Sequence, residues 1–276
     1  MKLLQAADPV RFPRMTTAEL RETFLLEEMF ESGAIRLAYV DLDRTVVGAA
    51  VPTVVPLKLP AEQELRADYF CERRELGVLN VGGSGTVTVD DAVFSLEKLD
   101  CLYIGRGSRE VEFASSNAEN PAAFYLLSYP AHAVYKTSMA RFADLQGLKL
   151  GSEATCNKRT IYKAIFNQGI QSCQMVMGFT VLDPGSNWNT MPPHTHMRRS
   201  EIYFYFDLDP AHRIVHLMGP PDETRHLFVA NREIVVSPGW SIHAGVGTTS
   251  YMFCWGMGGE NQAYDDMDAT SIPSLR

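Results

Sequence analysis

Cysteine is sparse and unpatterned. The 276 residues contain five, at positions 71, 101, 156, 173 and 254, and no two form a CxxC pair. An odd, widely spaced set supports neither a disulfide framework nor a thiolate zinc site. Positive charge is also short: 25 Lys and Arg stand against 33 Asp and Glu, for a net charge of -8 and a pI of about 5.4. No basic helix-turn-helix segment is visible, and phosphate backbones demand clustered cations, so a nucleic-acid partner is excluded. A small anionic substrate is not, because it needs only a few local cations. No window approaches the roughly 18 apolar residues of a membrane helix, and the opening "MKLLQAADPVRF" lacks the apolar core of a secretory leader. The expectation is a cytoplasmic protein with no membrane partner.

What is present is a core-forming, strand-rich text. Hydrophobic residues make up 46% and charged residues 21%, ordinary values for a soluble globular chain. One amphipathic helix is predicted in "TTAELRETFLLEEMF", where Thr16 and Glu19 fit a capping box and Leu20, Phe24 and Met29 form the apolar stripe. From Ile35 onward come short runs rich in Val, Ile, Tyr and Phe, among them "GVLNV", "CLYIG", "AFYLLSY", "EIYFYF" and "SYMFCWGM". Many short strands without helical patterns between them predict an all-β fold of sandwich or barrel type. Asp90-Asp91 and Asn231-Arg232 read as hairpin turns. The pattern weakens over 141–160, which is taken as a connection between two halves, 1–145 and 146–276. The halves echo each other: "ERRELGVLNV" parallels "RRSEIYFYF", paired arginines and acid in order. Cys71 and Glu72 stand where His196 and Met197 would be, and Glu110 lies near the place of His243.

Chemistry concentrates in "MPPHTHMRRSEIYFYF". Residues two apart on a strand share a face, so His194 and His196 aim together. Glu201 lies five residues beyond His196, the wrong parity for one regular strand, so "MRRS" is expected to bulge or turn. His243, four residues after Gly239 in "SPGWSIHAG", supplies a fourth ligand from a returning strand. A lone His-x-His among seven histidines is a weak signal; the ordered set of three imidazoles and a carboxylate suits a divalent transition ion, Zn, Fe, Mn or Ni. His132, His212, His216 and His226 take the bland reading of surface or satisfied core residues.

Around that set, alternation places Tyr203 and Tyr205 on the face of Glu201, as cavity-lining hydroxyls or core aromatics. Arg198, Arg199 and Arg225 are the candidates to hold a substrate carboxylate, with Arg159 and Lys163 as further cations entering the second half. Glu260, Asp265 and Asp266 are additional acids available as a general base.

The His-x-His-x4-Glu spacing with a later histidine after a Pro-Gly turn resembles the metal motif of the cupin superfamily. Longer segments, "NTMPPHTHMRRSEIYFYFDL", "ETRH", "SPGWSIHAGVGT" and "WGMGGENQAYDDMD", are similar to the 5-dehydro-4-deoxy-D-glucuronate isomerases of pectin breakdown, over nearly the whole chain. The approach to the first histidine departs from the general cupin pattern, since Gly185 lies nine residues upstream of His194. The resemblance implies two cupin-like β-sandwich or barrel halves (a bicupin) with a few short helices, the first half without metal. It implies zinc on His194, His196, Glu201 and His243, and a homohexamer. The implied activity converts 5-dehydro-4-deoxy-D-glucuronate to 3-deoxy-D-glycero-2,5-hexodiulosonate; strand parity favours Tyr203 and Tyr205 over Glu260, Asp265 and Asp266 as the group that moves the proton. An iron-dependent cupin dioxygenase and a non-catalytic sugar-acid-binding bicupin are the competing readings.

Overall fold

The computed structural model describes residues 1–260 and 262–276. Strands dominate, as the short Val-, Ile- and Tyr-rich runs require. The chain divides into two compact units that are not simply consecutive. One comprises Met1–Leu4, Glu28–Leu145 and Ala164–Val176; the other comprises Gln5–Glu27, Gln146–Lys163 and Met177–Arg276. The expected boundary after residue 145 coincides with one crossing, but 5–27 and 164–176 each belong to the unit opposite to the one a single cut would give them.

Each unit contains a seven-stranded and a four-stranded sheet. In the first, the large sheet runs in spatial order Lys2–Leu4, Ile35–Val40, Thr45–Ala50, Phe124–Pro130, Arg74–Asn80, Cys101–Ile104, Ser138–Ala140. In the second it runs Gly147–Leu150, Arg159–Ile165, Val176–Leu182, Met252–Gly259, Arg199–Phe206, Ile234–Ser237, Leu25–Leu26. The small sheets are Leu57–Lys58, Val111–Ser115, Gly85–Val89, Ala92–Leu96 and Trp188–Asn189, Ile242–Gly247, Ile214–Gly219, Arg225–Val229. In sequence order the strands fill the four-stranded sheets identically. In the large sheets Arg74–Asn80 and Arg199–Phe206 hold the same fifth place. A separate two-stranded ribbon pairs His194–Thr195 with Asp268–Ala269.

Period-two alternation builds the core of the first unit. Leu76 and Val78 from one sheet meet Val87, Val89, Val111 and Phe113 from the other, with Phe113 and Phe124 rings 5.4 Å apart. That parity corrects the echo between the halves. Arg74 shares the interior face with Leu76 and Val78, so Glu75 points the other way. Its carboxylate there accepts from the Tyr103 hydroxyl at 2.9 Å and from the backbone N–H groups of Cys173, Gln174 and Met175. Glu75 is therefore not a counterpart of Glu201. Glu110, for its part, is exposed and pairs with Lys58 at 3.7 Å.

The predicted helix forms over Thr17–Phe24 with the expected reciprocal cap. The Thr16 hydroxyl accepts from the Glu19 N–H, and the Glu19 carboxylate accepts from the Thr16 N–H. It stops before Met29 because Leu25 and Leu26 pair with Val235 and Ile234, and strand pairing overrides helical periodicity. Asp90-Asp91 makes the two-residue hairpin, with Asp90 at φ 51°. Asn231-Arg232 does not. The strands on either side of it belong to different sheets, so it is a corner between them. The 141–160 segment read as a connection contributes an edge strand, Gly147–Leu150, and the start of its partner, with which it pairs over Arg159–Tyr162.

Removing a buried phenyl from such a core leaves a void and loses its contacts. Phe113→Ala should lower stability by about 3–5 kcal/mol, read as a drop in the urea unfolding midpoint; an unchanged midpoint would mean Phe113 is not a core anchor.

Candidate metal centre

The four expected ligands come from four different places in the second unit. His194 sits in the two-residue strand of the small ribbon. His196 follows it and opens a tight turn, closed by the Arg199 N–H donating to the His196 carbonyl at 3.2 Å. This turn is the parity change that "MRRS" had to supply. Glu201 is on the central strand Arg199–Phe206, opposite Ser237. His243 lies on Ile242–Gly247, opposite Met218. The Pro-Gly turn packs directly on the His196 loop: the His196 N–H donates to the Gly239 carbonyl at 3.3 Å, and a Cβ at Gly239 would stand 3.0 Å from the His196 carbonyl oxygen. From the other side, Phe12 and Phe24 meet Trp240 edge-on, so the N-terminal helix braces the same turn.

The ligand atoms all lie within 4.8 Å of one another. Glu201 Oε2 is 2.8 Å from His196 Nε2 and 3.0 Å from His243 Nε2, and the Nε2 atoms of His243 and His194 are 3.0 Å apart. His196, Glu201 and His243 are 1%, 4% and 0% exposed. Among the described residues this is the one place where three or more such side chains converge.

The outer contacts orient the rings. His196 Nδ1 is 3.0 Å from the Arg199 carbonyl, which can only accept, so the Nδ1 proton is fixed there and Nε2 turns inward. His243 Nδ1 shares a hydrogen bond with the Ser237 hydroxyl at 3.2 Å. Inward lone pairs on buried imidazoles facing a carboxylate repel unless positive charge lies among them. Burial favours a neutral His196, but the Glu201 bond and charge outweigh it and raise its pKa. Burial likewise pushes Glu201 upward, and His243 and His196 reverse this, holding it well below the usual carboxylate range. His194 is driven down to about 3, first by burial and then by His243. Three imidazole nitrogens and one carboxylate oxygen are a fitting donor set for a divalent transition ion.

Two of the four, His194 and Glu201, form part of the wall of a cavity of about 400 Å³, whose lining also includes Arg159, Thr190, Arg199, Tyr203, Trp255 and Tyr264. Tyr203 shares the cavity face with Glu201, as alternation required; its hydroxyl is 2.9 Å from Thr190 Oγ1 and its ring stacks on Phe253. Burial raises its pKa well above that of an ordinary phenol. Tyr205 lies outside the lining, with its hydroxyl 2.7 Å from His216 Nδ1. His216 is only half satisfied: it is fully buried and pushed down to about 3 by burial and His243, and among the described residues Nε2 has no partner.

The cations sort differently from expectation. Arg198 is clamped to Asp266 and Asp268. Arg199 lines the cavity but donates to the carbonyls of Ala263, Tyr264 and Asp266, holding the C-terminal segment beside the site. Arg225 lies outside the lining, paired with Glu223 at 2.8 Å and donating to the Pro13 carbonyl. Arg159, a weaker candidate from sequence, is half-buried in the wall; it donates to the Asn157 carbonyl, and among the described residues no carboxylate lies within ion-pair distance of it. Glu260, Asp265 and Asp266 do not line the cavity, whereas Tyr264 does, with Lys163 3.8 Å over its ring. Thr190, Trp255 and Tyr264 escaped sequence reading, because isolated aromatics and threonines in strand text carry no spacing signal.

The KduI/IolB family model matches residues 25–272. The chain is 49% identical over 276 residues to a protein of Shouchella clausii named 4-deoxy-L-threo-5-hexosulose-uronate ketol-isomerase, with both chains fully covered. Proteins of the same name from Lachnoclostridium phytofermentans and Opitutus terrae are 49% and 48% identical, again over the whole of both chains. Among solved structures, an IolB-like protein from Salmonella typhimurium LT2 superposes with TM-score 0.72 at 14% identity, covering 90% of this chain and 97% of that one. Lactobacillus farciminis oxalate decarboxylase gives TM-score 0.56 at 11% identity, over 83% and 78%. These likenesses carry the all-β, cupin-like fold. The match over nearly the whole chain and the full-length relatives at close to half identity place it in the KduI/IolB family.

Proposed function

We propose that the chain is a metal-dependent ketol-isomerase converting 5-dehydro-4-deoxy-D-glucuronate to 3-deoxy-D-glycero-2,5-hexodiulosonate. The observation that carries the chemistry is one cavity whose wall holds His194 and Glu201 of the three-histidine, one-glutamate group together with an Arg159 guanidinium that has no acid partner among the described residues. Relatives matched end to end bear the corresponding isomerase name. The reading takes zinc as the ion, a bicupin with a metal-free first unit, a cytoplasmic location and a homohexameric assembly; these finer points rest on the sequence resemblance.

The substrate carries an aldehyde at C1, a hydroxyl at C2 and a carboxylate at the far end. Isomerisation passes the C2 proton to a base that returns it to C1, while the hydroxyl proton moves from O2 to O1, so that substrate and product have the same formula. His194, His196, Glu201 and His243 would hold a divalent ion, which would supply Lewis acidity for the negative charge that develops on the substrate's two adjoining oxygens. Arg159 anchors the far carboxylate through its planar donors. Burial keeps the Tyr203 hydroxyl protonated, so it serves as the donor to a substrate oxygen, with Thr190 orienting it. Tyr205 supports it from behind through His216. Trp255, Met257 and Leu148 keep the reacting carbons away from bulk water.

Chelation should abolish turnover of the 5-keto-4-deoxyuronate, and added zinc should restore it, with or without oxygen. An absolute oxygen requirement would replace this reading by the dioxygenase. His196→Ala and His243→Ala should lose bound metal together with activity; full occupancy in either sinks the ligand assignment. Cys156→Ser and Cys254→Ser should leave metal content unchanged.

Arg159→Met should cost about ten- to a hundredfold in kcat/KM, mostly through KM, as expected for losing a charged hydrogen bond of about 1.5–3 kcal/mol. Tyr203→Phe should lower kcat by about 10²-fold at unchanged metal content. If Arg159→Met left KM where it was, the carboxylate would have to be held elsewhere.

A further inference from the structure

The first unit contains a second cavity, of about 250 Å³, whose lining includes Tyr39, Arg44, Leu65, Phe70, Arg73 and Arg74. Arg74 opens the strand that holds in its sheet the place Arg199–Phe206 holds in the other, and it points to the interior face. It is 7% exposed. Its Nε donates to Ser128 Oγ at 3.0 Å, and Nη2 donates to the carbonyls of Arg44 and Ser128 at 2.6 and 2.9 Å. Among the described residues no carboxylate lies within ion-pair distance of it. A buried guanidinium held only by neutral acceptors keeps its desolvation cost without a counter-charge. Consistent with that, burial pulls its pKa down to about 10.

Two more arginines border the same space. Arg44 is exposed, and its guanidinium has no partner among the described residues. Arg73 reaches Glu72 at 3.2 Å and the carbonyls of Leu65 and Arg66. The acid in the lining, Glu64, lies 3.6 Å from the N-terminal amine. Three cations against one acid leave the cavity positive, and no histidine or cysteine is present to hold a metal. Planar guanidinium groups match carboxylate and phosphate oxygens in pairs, while Phe70, Leu65 and Pro130 offer an apolar wall to a short carbon body. The volume lies below the roughly 300 Å³ at which drug-sized ligand pockets begin, so the ligand is small.

We infer that this cavity is a binding site for a small organic anion, a carboxylate or a phosphate, in the unit that has no metal ligands. Arg74 is the buried anchor, Arg44 the exposed arm that closes on the ligand, and Tyr39 a hydroxyl at its edge.

The test is calorimetric titration of the metal-loaded full-length protein with inorganic phosphate and, separately, with succinate. The expected result is saturable binding of one anion per chain, weakened about tenfold in Arg44→Ala and in Arg74→Lys but retained in Arg159→Met. Binding of phosphate alone or of succinate alone supports the site and identifies its head group. Arg44→Ala removes an unpartnered surface side chain, so it reports even if Arg74→Lys folds poorly, and its isomerase turnover should match that of the unsubstituted protein. Failure of both anions to bind overturns the inference. So does binding that survives Arg44→Ala but is lost in Arg159→Met, which would place the anion in the metal cavity.

Discussion

Four polar groups buried face to face at the centre of the second unit set the terms for everything around them. Three imidazole nitrogens and a carboxylate oxygen converge within 4.8 Å. The Nδ1 proton of His196 is committed to a backbone carbonyl, which leaves its Nε2 facing Glu201. Such an arrangement is costly in a dry interior unless positive charge sits among the groups. A divalent ion meets that demand with the donors already in place. The turn after His196, the Pro-Gly turn and the aromatic contacts of the N-terminal helix with Trp240 all serve to hold this convergence.

The same sheet plan has been filled in two ways. In the second unit the interior face of the strand Arg199–Phe206 reads Arg199, Glu201, Tyr203, Tyr205, and beside it a cavity with polar and apolar walls is open enough for a ligand. In the first it reads Arg74, Leu76, Val78, and the space is packed with aliphatic side chains except at the end where Arg74 lies. Both faces open on an arginine, Arg199 and Arg74; what differs is the next interior residue, Glu201 in one and Leu76 in the other. A carboxylate among imidazoles draws a cation, whereas a guanidinium among arginines draws an anion.

The arginines show how far residue type alone can go. Arg198, Arg199 and Arg225 lie close to the ligands or to a recognised segment in sequence, and all three have guanidinium groups spent on acids or carbonyls that hold the C-terminal segment and the N-terminal arm. Arg159 is more than 30 residues from the nearest ligand in sequence. A sheet brings it into the cavity wall with most of its donors uncommitted.

The sequence by itself determined the all-β class, the capped helix, the grouping of His194, His196, Glu201 and His243 as side chains that could hold a metal, and the need for a turn between His196 and Glu201. Each is encoded by spacing or by local chemistry: period two along strands, a Thr-x-x-Glu cap, and a parity mismatch that only a turn relieves. Tertiary structure decided the rest. Strand pairing ended the helix at Phe24, and the two units proved to be interleaved. The face of Glu75 followed from which side of its strand met the opposing sheet. Which arginine stayed unpaired depended on partners distant in sequence. No local pattern records those outcomes, because they are set by which surfaces are left to meet once the strands have found their neighbours.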